Sequence, residues 1–70
     1  MPSTAIAEMR YDAPSHTLTV TFVSGAVYAY PEVPSELYDA FRRAESKGRF
    51  FSSEIRPRFT RFRRLRGPAP

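Results

Sequence analysis

Strict alternation marks the middle of the N-terminal half. From residue 17 to 23, Thr17, Thr19, Thr21 and Val23 interleave with Leu18, Val20 and Phe22. Side chains along a strand point to opposite faces in turn, so a period of two in β-branched and aromatic residues predicts a half-buried strand. A weaker alternation precedes it, with Ala5, Ala7, Met9 and Tyr11 set against Ile6, Glu8 and Arg10. The turn formers Asp12-Ala13-Pro14-Ser15 join the two strands. Ser24-Gly25 then reverses the chain into a third strand, Ala26–Tyr30. Three strands joined this way form an antiparallel meander.

The second hairpin admits two registers. A two-residue loop at Ser24-Gly25 sets Phe22 opposite Val27 and Thr21 opposite Tyr28, which leaves Tyr28 and Tyr30 on the threonine face. A three-residue loop, Val23-Ser24-Gly25, puts glycine at the left-handed position of a bulge. It pairs Val20 with Tyr28 and Leu18 with Tyr30, so all the large side chains share one face. A one-residue slip moves every side chain to the other face. The second register gathers more apolar area on one side and is preferred.

The period then changes from two to nearly four. Leu37, Phe41 and Ala44 follow the i, i+4, i+7 spacing of a buried helical stripe, flanked by Tyr38 and Ala40. Pro34 suits the first helical position, where its missing N–H costs nothing. Glu36 in the first turn and Arg42, Arg43 and Lys47 toward the end complement the helix dipole. Gly48 is placed to stop the helix in a left-handed conformation. A helix over 34–46 is predicted, lying across the sheet. Beyond it, Phe50, Phe51, Ile55, Phe59, Phe62 and Leu65 punctuate a run of arginines. Ile55, Phe59 and Phe62 have helical spacing, but Pro57 stands between them and argues against a continuous helix. A helical turn near 52–56 is expected, then an irregular or extended segment.

The fold class is therefore α+β: a three-stranded antiparallel meander, one helix on one face, and an irregular basic C-terminal segment. Leu18, Val20, Phe22, Leu37 and Phe41 are the expected core. Seventy residues close one core only. A single domain over 1–66 is expected, with 67–70 (Gly-Pro-Ala-Pro) a disordered tail.

Charge changes this picture more than composition does. The net charge is +4, but residues 1–46 hold three arginines against six carboxylates, whereas 47–66 hold eight basic residues against Glu54 alone. A basic segment on an otherwise acidic domain points to an anionic partner. Ten of the eleven basic residues are Arg, and Asn and Gln are absent, a bias that a GC-rich genome produces unaided. That bias explains the choice of Arg over Lys and leaves the crowding at one end unexplained.

Catalytic chemistry finds no footing. Cysteine is absent and His16, the one histidine, falls in a turn beside Ser15. Asp12 reads as a turn cap. No carboxylate pair or phosphate-binding glycine loop stands out, and a transition-metal site is not expected. No cofactor, small-molecule substrate or membrane partner is expected. The first residues lack the basic and apolar regions of a signal peptide, and no apolar run approaches the ~20 residues of a membrane span, so a cytoplasmic protein is expected.

Several short motifs recur together. They are Ser3, Tyr11-Asp12, Leu18-x-Val20-x-Phe22, Gly25, Tyr28-Ala29-Tyr30 and Val33-Pro34. Ala44-x-Ser46-x-Gly48-Arg49-Phe50-Phe51, Ile55-Arg56 and Phe59-x-x-Phe62-Arg63-Arg64-Leu65 complete the series. In that order and spacing, over about residues 3–65, the chain resembles the KTSC family. That family is named for a C-terminal extension of some lysyl-tRNA synthetases and also occurs as single-domain bacterial proteins. Arg10 stands where the family often has a small residue, and Ser52 where Asn is frequent. Attachment to a synthetase implies RNA as a partner.

The residues themselves supply a physical case for RNA. Arg56, Arg58, Arg61, Arg63, Arg64 and Arg66 form a cluster, and guanidinium forks suit phosphate and stack on bases. Aromatic rings among them, Phe50, Phe51, Phe59 and Phe62 with Tyr28 and Tyr30, suit unstacked bases. The nominated binding residues are Arg49, Arg56, Arg58, Arg61, Arg63, Arg64, Tyr28, Tyr30 and Phe51. Each group has a plainer reading: a solvated charged face for the arginines, core packing for the rings. The expected function is a non-enzymatic RNA-binding module that takes structured or single-stranded RNA, tRNA first, through the C-terminal arginine cluster and its interleaved aromatics. The alternative is a protein-interaction module docking on an acidic partner surface, since Arg and aromatics also anchor interfaces.

Overall fold

The structure, a computed structural model, describes residues 5–67. Four strands, β1 (Ile6–Asp12), β2 (Thr17–Phe22), β3 (Val27–Tyr30) and β4 (Arg63–Arg66), form one antiparallel sheet in the order β1-β2-β3-β4. Between β3 and β4 come helix α1 (Ser35–Arg43) and a short helix, α2 (Lys47–Phe50), which widens into a π-helical turn, Phe51–Ile55. The class is α+β as expected, but the sheet gains a fourth strand and the helical layer a second helix.

The β2–β3 hairpin takes the three-residue loop. The Phe22 N–H donates to the Ala26 carbonyl at 2.8 Å, and Gly25 N–H donates to the Phe22 carbonyl at 2.9 Å. Gly25 has φ +99°, the left-handed conformation the bulge requires. Leu18 therefore lies opposite Tyr30 and Val20 opposite Tyr28. Both tyrosines are 4% exposed. On β1 the pairing shifts between Ile6 and Glu8. That irregularity turns Ile6 to the side of Met9 and Tyr11, and all three pack against the core. Simple alternation placed Ile6 on the opposite face.

Helix α1 ends earlier than the sequence suggested, and Gly48 does not stop it. Ala44 is already extended (φ −63°, ψ 138°), and Pro34, also extended, caps rather than opens the helix. The physical reason lies in Ser46. Its hydroxyl accepts from the Arg49 N–H at 3.2 Å, an N-cap that starts α2 and places Gly48 inside it. The following turn closes with the Arg56 N–H donating to the Phe51 carbonyl at 2.9 Å, an i→i+5 bond. Its inward residues, Phe51 and Ile55, are fully buried. They occupy the central place expected of Leu37, which is partly buried. The chain turns away at 56–58, where Pro57 cannot continue the hydrogen-bond ladder.

The core lies between the helical layer and one face of the sheet: Leu18, Val20, Phe22, Tyr28 and Tyr30 below, Val33, Phe41, Phe51 and Ile55 above. Phe51 meets Phe22 and Tyr30 edge-on, with ring centroids 5.3 and 5.5 Å apart. Tyr11 ties the start of α1 to the sheet: its ring stacks on Tyr38 at 4.8 Å and its hydroxyl donates to the Val33 carbonyl at 2.6 Å. Burial raises the Tyr11 phenol above its ordinary value, and the carboxylates of Glu36, Asp12 and Asp39 add to the effect.

Burial also pushes the Tyr30 phenol up to about 12, against a smaller opposing pull from Arg56. The folded state holds this phenol protonated. Its contribution to stability is intact below about pH 10, the ordinary phenol value, and is lost as pH climbs toward 12. Alkaline titration followed by phenolate absorbance should show a late-ionising tyrosine, with loss of fold in the same range. Tyr30→Phe should remove that late step.

Strand β4 is fastened at its end. Gly67 has φ +83°, and a Cβ there would come within 2.7 Å of the Ala26 Cα. Gly67, the first residue of the expected tail, seats against the hairpin; residues 68–70 of that tail lie outside the described residues. Gly67→Ala should force β4 off the hairpin and speed amide exchange across Arg63–Arg66, with β2 protection unchanged.

Candidate nucleic-acid interface

β4 is an edge strand, Arg63-Arg64-Leu65-Arg66, and all four residues are exposed. It pairs with β3 through Val27–Arg66, Tyr28–Arg64 and Ala29–Arg63. Residues opposite one another share a face. Arg64 thus lies on the helix side of the sheet, in register with Tyr28, while Arg63 and Arg66 lie on the other side. Among the described residues, Arg63, Arg64 and Arg66 have no carboxylate partner. Just before the strand, Phe62 lies against Tyr28 and Tyr30 at centroid distances of 5.2 and 5.6 Å and remains 47% exposed.

The other nominated arginines are scattered. Arg56 lies 5.6 Å over the Phe51 ring. Arg58 lies 5.7 Å over Phe59 and reaches Glu54 at 3.5 Å. Arg61 approaches Glu32 at 3.9 Å with both side chains mostly exposed, a pair of little energetic consequence. Arg49 borders a different groove, with Ala44, Ser46, Phe50, Ser53 and Glu54. The structure gathers Arg63 and Arg64 on one strand, on opposite faces of the sheet, and leaves Arg49 on a separate groove.

The nominated aromatics are core residues. Tyr28 and Tyr30 are 4% exposed and Phe51 is fully buried, so none offers a ring face to a base. The register that unites the apolar face consumes the two tyrosines, and the π-helical turn buries Phe51 against Tyr30. Phe62 is the half-exposed ring beside the arginines. It belongs to the interleaved aromatics of the sequence but was not among the nominated residues. Its signal was available: it follows Pro57 and directly precedes the arginine pair, where the chain has left the helical layer.

The sheet face away from the helices was also missed. Two rows cross all four strands: Arg10–Thr19–Ala29–Arg63 and Glu8–Thr21–Val27–Arg66. They border a shallow groove of about 430 Å³ lined by Glu8, Arg10, Thr19, Thr21, Val27, Leu65 and Arg66. The alternation in β2 already put Thr19 and Thr21 on one face. What it could not show was β4, without which Arg63 and Arg66 have no place there. Among the described residues, no group of three or more His, Asp and Glu side chains could hold a metal ion, and no helix is long and apolar enough to cross a membrane.

These features define a small α+β domain with one helix-covered and one open sheet face. The KTSC domain profile matches residues 2–59, and the chain belongs to that family. The crystal structure of a KTSC domain protein from Yersinia pestis superposes with a TM-score of 0.79 at 32% identity, covering 93% of each chain. A protein from Tsukamurella paurometabola is 44% identical over 57 residues, 81% of this chain and 85% of that one. A lysine–tRNA ligase from Trichormus variabilis is 41% identical over 54 residues, 77% of this chain but 10% of the ligase. The family match stops before β4, so the arginine-bearing strand is read from this chain's own geometry.

Proposed function

We propose that this domain is a non-enzymatic RNA-binding module whose site centres on β4. One observation carries the reading: an exposed edge strand holds three arginines without carboxylate partners, Arg64 on the same side of the sheet as the half-exposed ring of Phe62 and Arg63 and Arg66 on the open face. Charge on an edge strand also guards against sheet-to-sheet aggregation. That role does not call for an exposed aromatic next to the charges, whereas RNA recognition uses both. The occurrence of this domain within a lysine–tRNA ligase agrees with a partner of this chemistry.

Neutralising about three phosphates releases condensed counterions, so log K should fall against log[salt] with a slope of about −2 to −3. Fluorescence titration of labelled RNA at several salt concentrations measures it. Absence of binding at the lowest salt would contradict the reading and turn attention to an acidic protein partner for the same strand.

A further inference from the structure

The face of the sheet away from the helices is crossed by two rows of paired residues. Its central positions are small: Thr19 and Ala29 in one row, Thr21 and Val27 in the next. Arginines stand at the borders, Arg10 on β1 and Arg63 and Arg66 on β4. Three strand spacings separate the Arg10 and Arg63 backbones, about 14 Å. Glu8, paired with Arg10 at 3.1 Å, and Asp12, in the next row opposite Thr17, are the carboxylates set against three arginines. The face is therefore net positive, which disfavours a second copy of the same face as its occupant.

The chemistry of the floor selects among anionic partners. Neither row contains an aromatic ring; Tyr11, Phe22, Tyr28 and Tyr30 all lie on the covered side. No aromatic ring on this face is available to stack on a splayed base, and its arginines stand at the borders of the floor. The hydroxyls of Thr19 and Thr21 have no hydrogen-bond partner among the described residues, and both side chains are partly accessible. A hydroxyl donates one hydrogen bond and can accept two, as can a ribose 2′-hydroxyl. Duplex RNA is recognised by shape, by phosphates and by the 2′-hydroxyls of its wide minor groove. We infer that the open sheet face binds double-helical RNA, with Arg10 and Arg63 on phosphates at either side and Thr19 and Thr21 on the ribose hydroxyls. This rests on the RNA-binding reading and names the form of RNA.

Arg10 lies on the edge strand opposite β4, so it separates the two ideas. Titrations would compare an RNA hairpin with a stem of about 16 base pairs, the DNA duplex of the same sequence, and an unstructured RNA strand. The wild type should prefer the RNA stem to the DNA duplex by about tenfold, a margin two hydroxyl contacts can supply. Thr19→Val with Thr21→Val keeps the strand's shape and should erase most of that preference, leaving DNA affinity unchanged. Arg10→Gln should weaken the RNA stem several-fold and flatten the salt slope by about one unit. Thermal melts would verify that each variant is folded. If neither variant changes binding of the stem, or the single strand binds tighter than the stem, the inference is overturned. Loss of binding on removing the β4 arginines would then still leave the broader RNA reading standing. If the wild type binds no RNA, both readings fall.

Discussion

Phe41→Ala is expected to unfold most of the protein. Phe41 is the one buried residue of α1 and is fully enclosed. It stacks on Phe50 with centroids 5.3 Å apart, which couples α1 to α2, and through the core both helices are held to the sheet. Truncating a buried Phe to Ala costs about 3–5 kcal/mol in lost burial and cavity formation. At roughly 0.05–0.15 kcal/mol per residue, a chain of this size has about 4–10 kcal/mol in total. Removing Phe41 thus takes a third or more of it. Loss of near-ultraviolet circular dichroism and of a cooperative melt would show the effect. Phe41→Leu keeps most of the volume and should remain folded with a melting temperature lower by roughly 5–10 °C. A Phe41→Ala protein that melts cooperatively near the wild-type temperature would show that α1 does not close the core as described.

The second large effect is on binding. Arg63→Gln, Arg64→Gln and Arg66→Gln together should remove most of the RNA affinity, by about a hundredfold or more, since charge-assisted hydrogen bonds are each worth roughly tenfold. The salt slope should flatten by about two units. Stability should change little, because the three side chains are exposed and unpaired with carboxylates. Glutamine keeps the stem length and lets β4 retain its backbone pairing. Arg49→Gln serves as the contrast: it lies on a separate groove beside α2 and should leave the slope unchanged.

Much of the architecture was legible because it rests on side-chain periodicity. Thr17–Val23 carries a clean period of two, and Gly25 at a left-handed turn fixes the register that buries Tyr28 and Tyr30. Phe41 stands where the helical stripe puts it. The misses share a physical cause. β4 reads Arg-Arg-Leu-Arg and has no buried side, so no alternation betrays it; it is held by backbone pairing and by the close approach of Gly67 to Ala26. α2 was obscured because glycine after a helical stretch ordinarily signals an end, while the Ser46 cap two residues earlier had already restarted the helix. The candidate site suffered from both. Aromatic residues near arginines were credited with stacking when the sheet register had committed Tyr28 and Tyr30, and the π-helical turn Phe51, to the core. The threonine face looked like a solvated surface while the strand that borders it with arginine was unseen.

Amide chemical-shift mapping during titration with RNA tests the location of the site directly. The account predicts the largest changes along β4, in the paired residues Val27–Ala29 of β3, and across the open face to Thr19 and Arg10. Changes confined to the exposed side of α1, or to the groove beside α2 that holds Arg49, would contradict it.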